Sequence, residues 1–344
     1  MNIAVTGLNA HDNPGPGVPV IRSILESGEF TGRIIGLAYD SLEPGIYLEN
    51  IAAKSYMIPY PSAGLDALYD RIAAIHSKEH IDVIIPTLDS ELYGFVKLAD
   101  KLRALGIRTF LPTFDQLNLR AKDKLFDFCS SHGVKVPKNH LITTAHDLYM
   151  LQEKFEYPIV VKGIFYEASV AHSFNDVMTA FEKFRAKWGL PIIIQEYVGG
   201  DEFNVVALGD GTGATVGAVA MRKLYITDKG KGWAGVSIDD KKLIELAQIM
   251  MQKLQWRSGM ELEFMKEKET GEYYLLEINP RFPAWVYLAT ATGQNLPYAL
   301  VKLAYGERVA PFTKYDVGTI FVRYSWDMIT KISEFEKLAM TGER

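Results

Sequence analysis

Residues 259–285, GMELEFMKEKETGEYYLLEINPRFPAW, most restrict what this chain can become. Two strand-like runs flank a polar, glycine-containing turn, which is the pattern of a β-hairpin. Alternate side chains of a strand share a face. The first run therefore sets Glu261 and Glu263 on one face, with Leu262 and Phe264 on the other. The second predicts Leu275, Glu277 and Asn279 on one face, opposite Leu276 and Ile278. Pairing of the strands would bring Glu263, Glu277 and Asn279 together, with Arg281 just past the strand end. Two carboxylates and an amide oxygen are hard donors suited to Mg²⁺, which also takes substrate phosphates. An arginine beside them offers a planar fork to phosphate oxygens. A solvated acidic face is the competing reading of a single Glu-x-Asn pair. The apolar run Leu-Leu-Glu-Ile-Asn-Pro-Arg, followed by Phe-Pro-Ala-Trp, favours the metal–phosphate reading.

The chain ahead of this hairpin alternates strand and helix. NIAVTG (2–7) is a short apolar run of the kind a buried parallel strand shows, RIIGLAYD (33–40) is a second and IDVIIPTLD (81–89) a third. Helical spacing separates them at 65–77 and 91–105, and IRTFLP follows as a further strand. Such alternation predicts a Rossmann-like parallel α/β domain over residues 1–115. Its first loop carries Gly15 and Gly17 but three prolines and no GxGxxG spacing, so a dinucleotide site is not expected there. Ligands of such sheets bind at the strands' carboxyl ends, where Asp89, Ser90 and Glu91 lie; helix capping is their equally good alternative.

With 344 residues the chain is too long for one ordinary core. Its net charge of −5 gives no field that would draw it to nucleic acid. No run approaches a membrane span, the N-terminus has no signal-peptide pattern, and Cys129 is alone, so a cytoplasmic protein is expected. The histidines show no metal-ligand spacing, and no nucleophilic triad is credible.

Features outside the hairpin suit a nucleoside triphosphate. Lys162 ends the buried strand YPIVVKG and Lys124 lies in the helix that follows the Thr113–Gln116 capping pair; either is otherwise a snorkelling surface lysine. Gln195, Glu196, Tyr197 and Val198 end the apolar strand that begins at 190, where backbone groups can read an adenine edge. Glu202, beyond a Gly-Gly turn, is placed to accept from ribose hydroxyls. The segment MRKLYITDKGKGWAG (221–235) offers Arg222, Lys223, Lys229 and Lys231 to an anionic substrate. Trp285 and Arg323 are further candidates for substrate contact, with a core tryptophan and a structural ion pair as the alternatives.

Taken together, Asp123-Lys124 followed by GVKVP, YPIVVK, QEYVGGDEF, ELEF and LLEINPR resemble the ATP-grasp superfamily of ligases over about residues 113–305. The first domain is similar to the one preceding the grasp in carbamoyl-phosphate-synthetase-like and biotin-carboxylase-like members. The resemblance implies two α+β subdomains, 116–190 and 191–312, with an extension at 313–344. It implies ATP and Mg²⁺ as cofactors, with two ions expected and Mn²⁺ as an alternative. Lys124 and Lys162 would hold the triphosphate, 195–198 the adenine, and Glu202 the ribose. Glu263, Glu277 and Asn279 would ligate the metal, and Arg281 would stabilise the transferred phosphoryl group. Arg222 and Lys229 would meet the acyl phosphate or substrate. The implied activity is an ADP-forming carboxylate–amine or carboxylate–thiol ligase working through an acyl phosphate on an amino-acid-like or peptide substrate. A carbamoyl-phosphate-type or biotin-carboxylase-like enzyme and an inactive nucleotide-binding regulator are the alternatives. A homodimer is possible in such a family. One departure stands out: Gly163 and Ser169 are all that remain of the family's Gly/Ser-rich phosphate lid.

Overall fold

The protein is described as a computed structural model. It describes residues 1–10, 14–119, 122–144, 146–148, 150, 155–163, 167–227 and 230–344, with only the backbone at 122–124, 126 and 127. The first part runs β1 (Asn2–Val5), α1 (Gly17–Leu25), β2 (Arg33–Ala38), β3 (Lys54–Met57), α2 (Leu65–Glu79), β4 (Val83–Ile85) and α3 (Asp89–Ala104). Its sheet is parallel throughout, in the order β3-β2-β1-β4. The apolar runs are buried on both faces, as parallel strands between helices must be. Two expectations change here. β3 was not anticipated, because KSYM is short and mostly polar, and the strand expected at 107–112 reduces to a single parallel bridge from Val83 to Arg108.

Next come α4 (Phe114–Leu119), α5 (Lys122–Ser131), β5 (Asn139–Ile142), β6 (Ile159–Lys162), β7 (Ala168–Ala171), α6 (Phe174–Trp188) and β8 (Ile192–Glu196). The Thr113–Gln116 box forms: each side chain accepts the other's backbone N–H, at 3.2 and 2.8 Å. A small sheet orders these strands β5-β8-β6-β7. α6 lays Val177, Phe181 and Phe184 on it.

The rest builds a larger sheet: β9 (Gly200–Asp210), β10 (Thr215–Ile226), β11 (Gly232–Ser237), α7 (Lys241–Leu254), β12 (Arg257–Glu267), β13 (Tyr273–Asn279), α8 (Tyr287–Ala291), α9 (Leu296–Ala304), β14 (Ile320–Val322) and α10 (Ile332–Thr341). Its order is β13-β12-β9-β10-β11-β14. α7 packs on one face through Leu243, Ala247, Met250 and Leu254, against Phe203, Val205, Leu262 and Phe264. The segment after 313 is therefore not simply a polar tail. It adds β14 to the sheet edge and returns to β3, where Ser55 and Arg344 exchange backbone hydrogen bonds at 2.9 Å.

The hairpin forms as read, with one correction. Glu263 pairs with Glu277, but Phe264 pairs with Leu275, so Leu276 is an extra residue and the register shifts between them. This bulge turns Leu275 into the core beside Ile278, not onto the face of Glu277. Strict alternation across 275–279 cannot foresee a bulge.

Candidate functional site

Alternation along β9 sends Phe203, Val205 and Ala207 towards α7 and Glu202 and Asn204 to the opposite face. Glu261, Glu263 and Asn279 join that second face from β12 and β13, and Lys223 joins from β10. At its centre Glu261 is 5% exposed and accepts from four N–H donors. These are Trp285 Nε1 at 2.6 Å, Asn204 Nδ2 at 2.8 Å, Asn279 Nδ2 at 3.1 Å and Arg281 Nη1 at 3.3 Å. A carboxylate has about four acceptor positions, so Glu261 has none left for a metal and acts as the post that orients its neighbours. Burial and the nearby Glu263 push its carboxyl upward, while Arg281, the Trp285 indole and Lys223 pull the other way. Four N–H donors leave no place for a proton, and the ionised form fits.

Asn279 Nδ2 also donates to Glu263 at 2.8 Å, so the amide oxygen is the atom that remains for a ligand. Glu277 stands opposite Glu263 in register and is partly exposed. Lys223, whose side chain is 7% exposed, bridges Glu202 at 2.5 Å and Glu263 at 3.5 Å. Burial alone would lower its pKa, but Glu263, Glu202 and Glu261 more than offset this and the ammonium is held charged. Arg281 donates from Nε to Asp89 at 2.9 Å, which ties the hairpin to the start of α3. Burial opposes its charge, and Asp89, Glu261 and Glu263 together outweigh that and raise its pKa.

Arg323, one residue past β14, has a buried Nη1 with no partner among the described residues. Burial pushes its pKa down to about 10, with the charge of Glu261 pulling upward. The structural ion pair considered for it is absent among the described residues. Trp285 is a core residue whose indole N–H serves Glu261.

The cluster thus gathers the carboxylates of Asp89, Glu202, Glu261, Glu263 and Glu277 around Lys223 and Arg281. Among the described residues no group of three His, Cys, Asp or Glu is placed to hold a metal ion by itself. Glu263, Glu277 and the Asn279 oxygen form an open set instead, and that fits Mg²⁺, whose remaining positions go to phosphate and water.

The other expected residues fall at the small sheet and its junction. Lys162 ends β6, and Gln195 is buried on β8. Glu196 accepts the Lys138 backbone N–H at 3.0 Å. Tyr197 is exposed and Val198 buried, in the segment that crosses to β9. The Lys124 side chain, Lys229 and residues 164–166 after Gly163 lie outside the described residues. Arg222 is not brought to the cluster. It lies on the α7 side of the sheet, paired with Asp201 at 2.9 Å and set over the Phe203 ring. Its neighbour Lys223 takes the inner position. Period-2 counting from the apolar Val219 and Met221 would have found Lys223, and counting from Val206 would have found Asn204. The pairing of Arg281 with Asp89 spans 192 residues and has no local signal.

Residues 190–323 match the family "ATP-grasp in the biosynthetic pathway with Ter operon". The N-terminal section of the carbamoyl phosphate synthase large chain of Methanopyrus kandleri is 24% identical over 302 residues, covering 80% of this chain. The chain spans 51% of that relative, and 24% and 65% of two further carbamoyl phosphate synthases. The fold is shared with the biotin carboxylase domain dimer of Hydrogenobacter thermophilus 2-oxoglutarate carboxylase, solved with MgADP, ADP and bicarbonate. There the TM-score is 0.70 at 16% identity, covering 90% of this chain and 71% of that one. L-amino acid ligase from Bacillus licheniformis shares it at TM-score 0.64 and 16% identity, covering 88% and 74%. The resemblance to ATP-grasp ligases therefore stands. No helix among the described residues is long and apolar enough to cross a membrane.

Proposed function

We propose that this protein is an ATP- and Mg²⁺-dependent ligase that phosphorylates a carboxylate and passes the acyl group to an amine or thiol, releasing ADP and phosphate. The observation that carries the reading is the open donor set of Glu263, Glu277 and Asn279, with Arg281 held charged beside it. Phosphoryl transfer is catalysed mainly by positioning and electrostatics, so a site without a protein nucleophile suits it. Bound Mg²⁺ supplies charge neutralisation at the phosphates.

Within this reading the nucleotide lies between the two sheets, spanned by the 197–199 crossing. Lys162 and Lys124 reach its phosphates, backbone at 195–198 its adenine, and Glu202 its ribose. Glu202 is held by Lys223, so ribose binding and the metal carboxylate Glu263 share one lysine. Lys223 replaces Arg222 as the cation that meets the reacting phosphate or acyl phosphate. The amino-acid-like substrate class draws support from the shared fold with an amino acid ligase.

Incubation of carboxylate and amine libraries with Mg·ATP, followed by nucleotide and mass analysis, tests the reading. ADP with substrate-dependent condensation is the expected result, and AMP with pyrophosphate would remove the acyl-phosphate mechanism. Bicarbonate-dependent ADP release without condensation would favour the carbamoyl-phosphate or biotin-carboxylase type, and Mg·ATP binding without turnover a regulator. Glu277→Gln should lower turnover by about tenfold to a hundredfold or more while leaving the fold intact. A folded variant with wild-type turnover would dismiss the metal assignment.

A further inference from the structure

Two more buried carboxylates lie at the carboxyl ends of the first sheet, where ligands of open α/β sheets bind. Glu91 is 1% exposed and accepts from the Thr6 hydroxyl at 2.5 Å, the Thr87 and Leu88 backbone N–H groups at 2.7 and 2.8 Å, and the Tyr39 hydroxyl. Glu43 is 4% exposed. Its Oε1 accepts the backbone N–H groups of Tyr39 and Asp40 at 2.8 and 3.3 Å, and its Oε2 is buried with no partner. No basic side chain pairs with Glu43, Glu91 or Asp40 among the described residues, although Glu91 and Asp40 both repel Glu43. Asn9 Oδ1 is a further buried acceptor without a partner. The Gly45 N–H donates to the Leu8 carbonyl at 2.9 Å and so draws the Glu43 turn against the loop that carries Asn9.

Among the described residues every unmet atom here is an acceptor, and the uncompensated charge is negative. A buried carboxylate without a cation costs several kcal/mol unless a partner arrives or the group takes a proton. A cationic N–H donor would meet both. Glu91 has no acceptor position left, so Glu43 Oε2 and Asn9 Oδ1 remain. That is too few for Mg²⁺, which asks for six oxygens, and it suits an ammonium with three N–H bonds. Asp89, two residues before Glu91 on the same helix, holds Arg281, so α3 links these carboxylates to the acidic cluster.

We propose that the crevice seats a protonated primary amine, the amino group of an amino-acid-like substrate, with Glu43 Oε2 as its ion-pair partner and Asn9 Oδ1 as second acceptor. The word substrate rests on the ligase reading; the amine site itself does not.

The full chain is titrated with a pool of L-amino acids and, separately, with the same pool N-acetylated, following thermal shift without nucleotide and ADP release with Mg·ATP. The free amines should shift the melt and stimulate ADP release, and the acetylated pool should do neither. Glu43→Gln should melt no lower than wild type, keep the shift produced by Mg·ATP, and need about tenfold or more amine for half effect. Asn9→Ala should show the same loss to a smaller degree. Equal action of the two pools, or unchanged amine dependence in Glu43→Gln, would overturn the proposal, as would an Mg·ATP shift with no amine effect in either readout. If Mg·ATP shifts nothing, the ligase reading alone fails, because the nucleotide-free amine shift and its loss in Glu43→Gln still decide the crevice.

Discussion

The cluster on the large sheet and the crevice on the first sheet both bury carboxylates, and they are satisfied in opposite ways. Glu261 meets four N–H donors, one of them the charged Arg281, and its neighbours Glu263 and Glu202 share Lys223. Glu43 meets two backbone N–H groups and no cation among the described residues. The first is a paired electrostatic unit among the described residues. The second lacks a charge at its centre. A buried group whose partners are present resists change because removing it strands them. A buried group whose partner is absent resists folding until the partner binds.

The largest effect should come from breaking the paired unit. Glu261→Ala removes the acceptor of Trp285 and Asn204 and one of the two that Asn279 uses, and takes from Arg281 one of its two carboxylate partners. Loss of one member of a buried pair costs about 3–5 kcal/mol, and denaturant midpoints should fall accordingly. A loss below about 1 kcal/mol would show that Glu261 is no post.

The crevice predicts the reverse sign. Burial, with Glu91 and Asp40 nearby, pushes the Glu43 carboxyl from 4.5 up to about 7, against the pull of two backbone N–H groups. A carboxyl whose folded pKa lies above its unfolded value holds its proton more tightly when folded. Its favourable contribution is complete below the unfolded pKa and is lost as pH rises through the folded one. The amine-free protein should therefore lose up to about 3 kcal/mol between pH 4.5 and 7 from this group. In Glu43→Gln that slope should flatten, and equal slopes in the two proteins would mean that Glu43 is ionised and already compensated.

How much of this was legible in sequence depends on whether the determinant is local. Alternation placed Glu261 and Glu263 on one strand face, and the helix cap at Thr113 could be read because it is fixed within three residues. The bulge at Leu276 was not legible, since one extra residue in a ladder is decided by the partner strand. Nor was β11, whose Gly-Trp-Ala-Gly composition reads as loop and which becomes a strand by pairing with β10. Arg281 could be assigned to phosphate by its place after the hairpin, but the Asp89 that anchors it comes from another sheet. Glu43 had no signal, because in sequence it is one more acidic residue in a turn. Its meaning comes from burial, and burial is a property of the whole fold.

The smallest effect concerns two adjacent residues that the sequence offers as equivalents. Arg222 and Lys223 both lie on β10, and alternation sends them to opposite faces. Arg222 lies about half exposed over Phe203 and pairs with Asp201, also exposed, so its ion pair is screened by water. Exposed pairs of this kind contribute about 0.2–1 kcal/mol. Arg222→Ala should therefore shift the denaturation midpoint by no more than this and leave ADP release within about twofold of wild type. A larger loss of turnover with an unchanged fold would place Arg222 in the reaction after all. It would mean that β10 turns over its outer end when nucleotide binds, and the separation of the sheet into a catalytic and a structural face would fail at that strand.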